Sequence, residues 1–141
     1  AISHSDVLCC LEDKLTVLQE CRRVINADGR MCFTVIRLAD GLKGTAMERA
    51  VQAGPEFIHS ETHYPSMLQS AGWQTIQQDD ITGAFCASIE RMIAAEEKQS
   101  ESLRALRGNE ANETAQANWR YKLQAVADGL ILREFFSVVP A

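Results

Sequence analysis

Ser3-His4-Ser5-Asp6-Val7-Leu8-Cys9-Cys10-Leu11-Glu12-Asp13-Lys14 opens the stretch that decides the fold, which runs on through Leu15 to Ile25, the turn Asn26-Ala27-Asp28-Gly29 and the run Arg30 to Ile36. Its reading is strand end, amphipathic helix, turn, buried strand. Leu11, Leu15, Leu18 and Ile25 fall at i, i+4, i+7 and i+14 and, with Arg22, make one helical stripe, while Glu12, Lys14, Gln19 and Arg23 point elsewhere. That is a surface helix laid over a sheet. Asp28-Gly29 ends it in a turn that can use positive φ. Arg30 to Ile36 is nearly continuous in apolar β formers, as a strand of a parallel sheet covered on both faces would be.

Downstream, Leu38 to Gly44 holds two glycines and an Asp and reads as a loop, and Thr45 to Ala53 reads as a short helix stopped by Gly54-Pro55. The pattern dissolves from Glu56 to Tyr64. Pro65 suits the first turn of a short helix through Met67, Leu68 and Ala71, with Gly72 as its stop. Trp73 to Asp79 reads as a strand. Thr82 can cap a long helix through Phe85, Ile89, Met92, Ile93 and Glu96, which passes into a solvated polar section and breaks at Gly108-Asn109. Ala115, Trp119, Leu123 and Val126 mark a further helix ended by Gly129. Ile131 to Val139 closes as an apolar strand.

The 141 residues suit one domain, 1–141, with an ordinary 46% of hydrophobic residues. A formal net charge of −5, with no run of Lys or Arg, argues against a nucleic-acid partner. The five cysteines, Cys9, Cys10, Cys21, Cys32 and Cys86, are odd in number and lack C-x-x-C spacing. They read as reduced core residues of a soluble, cytoplasmic protein. No secretory signal opens the chain, and no apolar run approaches the roughly 20 residues that span a bilayer, so no membrane partner is expected.

The opening stretch resembles the segment of class I S-adenosylmethionine (SAM) dependent methyltransferases written loosely as S-x-D-x-L-x-H-L-x-D-K, then L-x-E-x-x-R-V-L-K-P-G-G-R and an apolar strand. A second stretch, Tyr64-Pro65-Ser66-Met67-Leu68-Gln69-Ser70-Ala71-Gly72-Trp73-Gln74-Thr75-Ile76, resembles the family's Y-x-x-M-L-x-x-A-G-F/W-x-x-V, in the right order along the chain. The resemblance implies an α/β, partial Rossmann-like methyltransferase fold with a mixed sheet and helices on its faces. In the family order 3-2-1-4-5-7-6, Ala1-Ile2-Ser3 is then the stump of strand four, Arg30 to Ile36 strand five, Trp73 to Asp79 strand six and Ile131 to Val139 strand seven. Strands one to three have no counterpart, so the expected molecule is the C-terminal portion of the fold.

The family's cofactor site needs a glycine-rich turn after strand one and an acidic residue after strand two, and this sequence has no G-x-G anywhere. SAM is the cofactor of the complete fold; none is expected for this chain alone. By the resemblance, Ser3, His4 and Asp6 lie past strand four at the cofactor-pocket edge, with His4 and Asp6 as catalytic candidates. Asp6 matches the family's Asp, whereas Cys10 stands where many members carry His. The bland reading of His4 and Asp6 is simple solvent exposure. His59, His63 and Tyr64 lie in the irregular segment after strand five, which in the family often contributes to the acceptor pocket. His59-x-x-x-His63 lacks the Glu of a zinc-protease helix and adjoins Pro65, so no metal is expected. Ser3, His4 and Asp6 cannot converge as a triad from adjacent strand positions. The Asn/Asp-Pro-Pro-aromatic motif of nucleic-acid amino methyltransferases is absent, which favours a small-molecule acceptor.

The expected function is that of a SAM-dependent methyltransferase portion acting on a small molecule and unable to bind SAM by itself; the alternative is a non-catalytic α/β oligomerisation or interaction module. The expected core holds Leu15, Leu18, Phe33, Val35, Leu68, Ile76, Ile89, Trp119, Phe135 and Val138. Trp73, Phe85 and Phe136 are packing residues as well. With only Ala1 to Ser3 to cover it, strand five is expected to present an open edge, and the chain to pair across that edge as a homodimer.

Overall fold

The computed structural model describes all residues, Ala1–Ala141. Strand β1 (Ile2–Ser5) passes through a 3-10 turn (Leu8–Cys10) into helix α1 (Lys14–Val24), and strand β2 (Met31–Leu38) returns beside it. Helices α2 (Gly44–Ala53) and α3 (Tyr64–Ser70) lead to strand β3 (Trp73–Asp80). Helices α4 (Thr82–Lys98), α5 (Ser100–Arg107) and α6 (Asn109–Ala127) then precede strand β4 (Ile131–Pro140). The sheet order is β1-β2-β4-β3, with β1 and β2 parallel and β4 antiparallel to both neighbours. This is the mixed order expected for strands four, five, seven and six.

Asp13 starts α1 by accepting a hydrogen bond from the Thr16 backbone N–H at 3.0 Å, and Arg22 and Arg23 complement the dipole in the last turn. The helix is rolled relative to the expected stripe. Leu18 is fully buried, but Leu15 is 37% exposed and Lys14 is buried instead. Lys14 tolerates this because its ammonium donates to the carbonyls of Leu11 at 2.9 Å and His59 at 3.3 Å. Arg22, on the stripe as expected, donates to the Gly72 carbonyl at 3.1 Å. Gly29 does not use positive φ; its requirement is space, since a Cβ there would come within 2.5 Å of the Ile25 side chain. Gly72, at φ +80, does end α3 in the left-handed region.

Met31, Phe33, Val35 and Ile36 of β2 are buried together with Ile131, Phe136 and Val138 of β4, so the sheet centre is covered on both faces. Phe135 is only half-buried and its neighbour Phe136 takes the core position, stacked on Phe33 at 5.1 Å. Trp73 anchors β3 by donating from its indole N–H to the Leu18 carbonyl at 2.9 Å. The rest of β3 is exposed. Ile76 sits at an irregularity between Thr75 and Gln77 and is 51% exposed, which removes it from the core. Trp119 is half-buried at the margin of the helical layer. The N-terminal hydrogen bond of α4 comes from Asp80, which accepts from the Thr82 N–H at 2.8 Å, while the Thr82 hydroxyl accepts from the Arg133 N–H at 2.9 Å.

Strand five is not the open edge. Its counterpart β2 is paired with β4 from Met31 to Leu38 and with β1 from Met31 to Thr34, so the outermost strand on that side is β1. No helix is long and apolar enough to cross a membrane.

Candidate functional site

Residues directly opposite one another across a sheet share a face. His4, Phe33 and Phe136 are therefore on one side, the side of α3, and Ser3, Ser5, Cys32, Thr34 and Arg133 on the other, the side of α4. At the carboxyl ends of β1 and β2 each face carries its own polar constellation.

On the α4 side the centre is Asp6, which leaves β1 in the left-handed region at φ +54, an uncommon conformation for a residue with a side chain. Its Oδ1 accepts from the Thr34 hydroxyl at 3.0 Å and from Arg133 Nε at 3.1 Å, and its Oδ2 lies 2.7 Å from Arg133 Nη2. Arg133 also donates to the Ser5 hydroxyl at 3.0 Å and lies over the Phe85 ring at 5.2 Å. The backbone carbonyl of Asp6 accepts from the thiols of Cys9 at 3.2 Å and Cys10 at 3.5 Å. Burial pushes the Cys9 thiol up to about 11, which keeps it protonated and un-nucleophilic at neutral pH. All five cysteines are free.

On the α3 side a cleft of about 160 Å³ opens between the loop after β2 and the segment leading into α3, lined by Leu38, Asp40, Leu42, Met47, Ile58, His59, His63 and Tyr64 among others. A second cleft of about 310 Å³ shares Arg37, Asp40, His63 and Tyr64 with it and adds Gln78 and Glu134. Arg37 clamps Glu134 with Nε at 2.9 Å and Nη2 at 3.1 Å, and Gln78 donates to the same carboxylate at 3.2 Å. Tyr64 is 2% exposed and its hydroxyl has no hydrogen-bond partner. Burial drives its phenol well above the ordinary range, so it stands as a neutral donor. His63 is exposed, with Nδ1 3.6 Å from Asp40. His59 is exposed too, and its carbonyl is held by Lys14.

The structure thus brings His59, His63 and Tyr64 to one cleft. It does not unite Ser3, His4 and Asp6. Ser3 is exposed on the α4 side. His4 faces the α3 side, stacked on Phe33 at 4.9 Å with both ring nitrogens buried and unpartnered, and burial lowers its pKa against the smaller opposing pull of Asp6. Asp6 is engaged by Arg133 and Thr34. No three His, Cys, Asp or Glu side chains come together in a metal-binding arrangement. The sequence holds no G-x-G turn, and Asp6, the carboxylate that ends β1, has its oxygens engaged by Arg133 and Thr34.

Sequence reasoning missed Arg37, Arg133 and Glu134. The signal was available, since Arg133-Glu134 interrupts an otherwise apolar strand and buried charges are retained only with partners.

No family model matches the chain, and no curated protein matches it in sequence. Solved structures match it in fold. A Galdieria sulphuraria protein assigned as a sarcosine dimethylglycine methyltransferase superposes with a TM-score of 0.86 at 19% identity, over 98% of this chain and 51% of that one. The Haemonchus contortus phosphoethanolamine N-methyltransferase 2, in complex with phosphomonomethylethanolamine and S-adenosylhomocysteine, gives 0.84 at 17% identity over 98% and 32%. The Mycobacterium tuberculosis cyclopropane synthase MmaA2 gives 0.78 at 11% over 99% and 55%. The chain therefore has the fold of the C-terminal portion of SAM-dependent methyltransferases. It spans between 32% and 55% of the length of these three structures.

Proposed function

We propose that this chain supplies the acceptor side of a SAM-dependent methyltransferase for a small molecule, and that by itself it does not bind SAM with useful affinity. The observation that carries the reading is the cleft under Tyr64, at the carboxyl edge of a sheet of methyltransferase order. Open α/β sheets place ligands at that edge. Methyl transfer is an in-line displacement at a sulfonium carbon, so the protein's part is proximity, orientation and removal of the acceptor's proton. In this reading Tyr64, His59 and His63 orient the acceptor between the apolar wall of Leu42, Met47 and Ile58 and the polar rim of Asp40. In the same reading Ser3 and Asp6 on the α4 side and His4 on the α3 side edge the cofactor from opposite faces of β1, and the free thiols accord with a cytoplasmic setting. A bound neighbour supports the pairing of acceptor and cofactor, since the Haemonchus enzyme holds phosphomonomethylethanolamine together with S-adenosylhomocysteine.

One observation favours the second reading, a non-catalytic module: Arg133 ties up Asp6, the residue matching the family's Asp. Calorimetry of the 141-residue chain with SAM and with S-adenosylhomocysteine tests the leading proposal. The expected titration shows no saturable heat in the micromolar range, because the backbone cradle and ribose carboxylate are lacking. Micromolar affinity for either compound would sink the claim that this chain is the acceptor side only.

A further inference from the structure

The two clefts on the α3 side share Arg37, Asp40, His63 and Tyr64, and the charges around them do not balance. Arg37 is spent. Its Nε and Nη2 hold Glu134 at 2.9 and 3.1 Å, and its Nη1 donates to the Leu38 carbonyl at 2.9 Å and to Asp40 Oδ1 at 3.4 Å, which leaves little of the guanidinium to receive an anion. Glu134 is spent in turn, since Gln78 also donates to its Oε1 at 3.2 Å. Asp40 is not. Its contacts with Arg37 and with His63 Nδ1, the latter at 3.6 Å, both fall on Oδ1, and Oδ2 faces no donor of the chain. Asp80, opposite Glu134 in the sheet, is a further carboxylate that acts on Arg37. Three carboxylates thus stand against one guanidinium, and the clefts carry a negative field.

Tyr64 points to a ligand independently of the charges. It lines both clefts and is 2% exposed, yet its hydroxyl has no partner in the chain. A buried hydroxyl left unpaired carries a desolvation cost that a bound donor relieves. The remaining wall, Leu42, Met47 and Ile58, is apolar.

We infer, building on the acceptor-cleft reading, that the acceptor is a small aliphatic amine that enters as its ammonium. Its N–H groups meet Asp40 Oδ2 and the Tyr64 hydroxyl, and its alkyl part lies against Leu42, Met47 and Ile58. A carboxylate or phosphate would meet Asp40 with no free cation to offset it. A quaternary ammonium has neither an N–H to give nor a lone pair to take a methyl group. For transfer, the ammonium gives one proton to the free ring nitrogen of His63, whose imidazolium Asp40 stabilises. The nitrogen lone pair then forms the new N–C bond as the C–S bond of the sulfonium breaks. That bond's electron pair stays on sulfur, which leaves as a thioether, and the positive charge passes to the methylated nitrogen.

Amide NMR titration of the isotope-labelled 141-residue chain at neutral pH tests this with three probes that share an isobutyl group: isobutylamine, isobutanol and isovalerate. Isobutylamine should shift the amides of Asp40 to Leu42 and Thr62 to Tyr64 saturably, with a Kd on the order of millimolar, and the neutral and anionic probes should bind several-fold more weakly. Asp40→Asn should raise the Kd for isobutylamine about two- to fivefold and leave that for isobutanol unchanged. Tyr64→Phe should raise it about two- to tenfold while the thermal midpoint stays level or rises, because the orphaned hydroxyl is gone. Glu110→Gln, on α6 beside a separate cleft, controls for diffuse attraction to an acidic chain and should change nothing. Isobutanol or isovalerate binding the same amides as tightly as isobutylamine overturns the amine assignment and leaves the cleft as an acceptor site. Equal weakening by Glu110→Gln and Asp40→Asn overturns it too. If none of the probes shifts the cleft, the acceptor-cleft reading falls and the inference with it.

Discussion

His4 holds two buried ring nitrogens with nothing to bond, so the folded state favours the neutral ring and resists the imidazolium. Its pKa therefore lies below the ordinary 6.5 in the folded chain, and the unfolded chain takes up the proton first as pH falls. The sign follows: whatever stability this residue carries is whole above about pH 6.5 and is lost as pH drops toward the folded value. In dilute solution the thermal midpoint should fall between about pH 7.5 and about pH 5.5 more steeply for the wild type than for His4→Phe, which keeps the ring stack without a titrating group. Parallel profiles for the two proteins would contradict this. Single residues were where the sequence was least legible. Lys14 looks like a solvated helix lysine until the carbonyl of His59, 45 positions away, is known to lie within reach of its ammonium. Ser3, His4 and Asp6 were read as one border, although the strand period already separates Ser3 from His4.

At the level of elements, the helices and strands were legible where apolar period and breaker agreed, as at Gly54-Pro55 and Gly72, and illegible where both faces of a strand are covered. In β4 the run Phe135-Phe136-Ser137-Val138 is apolar at nearly every place, so periodicity cannot say which phenylalanine is central. The pairing decides it: Phe136 lies opposite Phe33 and is fully buried, whereas Phe135 lies opposite Thr34 and is half-buried. Phe136→Ala should therefore cost on the order of 3 to 5 kcal/mol in denaturant unfolding, as should Phe33→Ala, and Phe135→Ala distinctly less. Equal costs at 135 and 136 would show the register to be wrong. In β3 the pattern looked like a strand and is one, but the irregularity at Thr75/Gln77 leaves Ile76 outside the core, a change of face that no local pattern announces. The cleft segment was found by the absence of pattern from Glu56 to Tyr64, which flags a loop at the sheet's carboxyl edge without revealing that Arg37 and Glu134 floor it.

For the whole molecule, the strand order came from two family-like stretches rather than from any physical reading of pairing, because nothing local in Ile131 to Val139 says that it inserts between strands far earlier in the chain. That insertion has a consequence for how the protein comes into being. β4 is the last strand in sequence and yet joins β2 and β3, which do not touch each other. On the ribosome, β2 emerges about a hundred residues before β4, with Phe33, Val35 and Ile36 lacking their lid, and β2 and β3 cannot be joined in one sheet until β4 has emerged. Such long-range closure is slow and exposes sticky surface while it waits. A chain lacking Ile131–Ala141 should show no cooperative unfolding transition by calorimetry, and a native-like melt from that shortened chain would refute the dependence. Until β4 is made the apolar residues of β2 stay without their cover, and a nascent chain in that state is a natural client for whatever holdase meets it first.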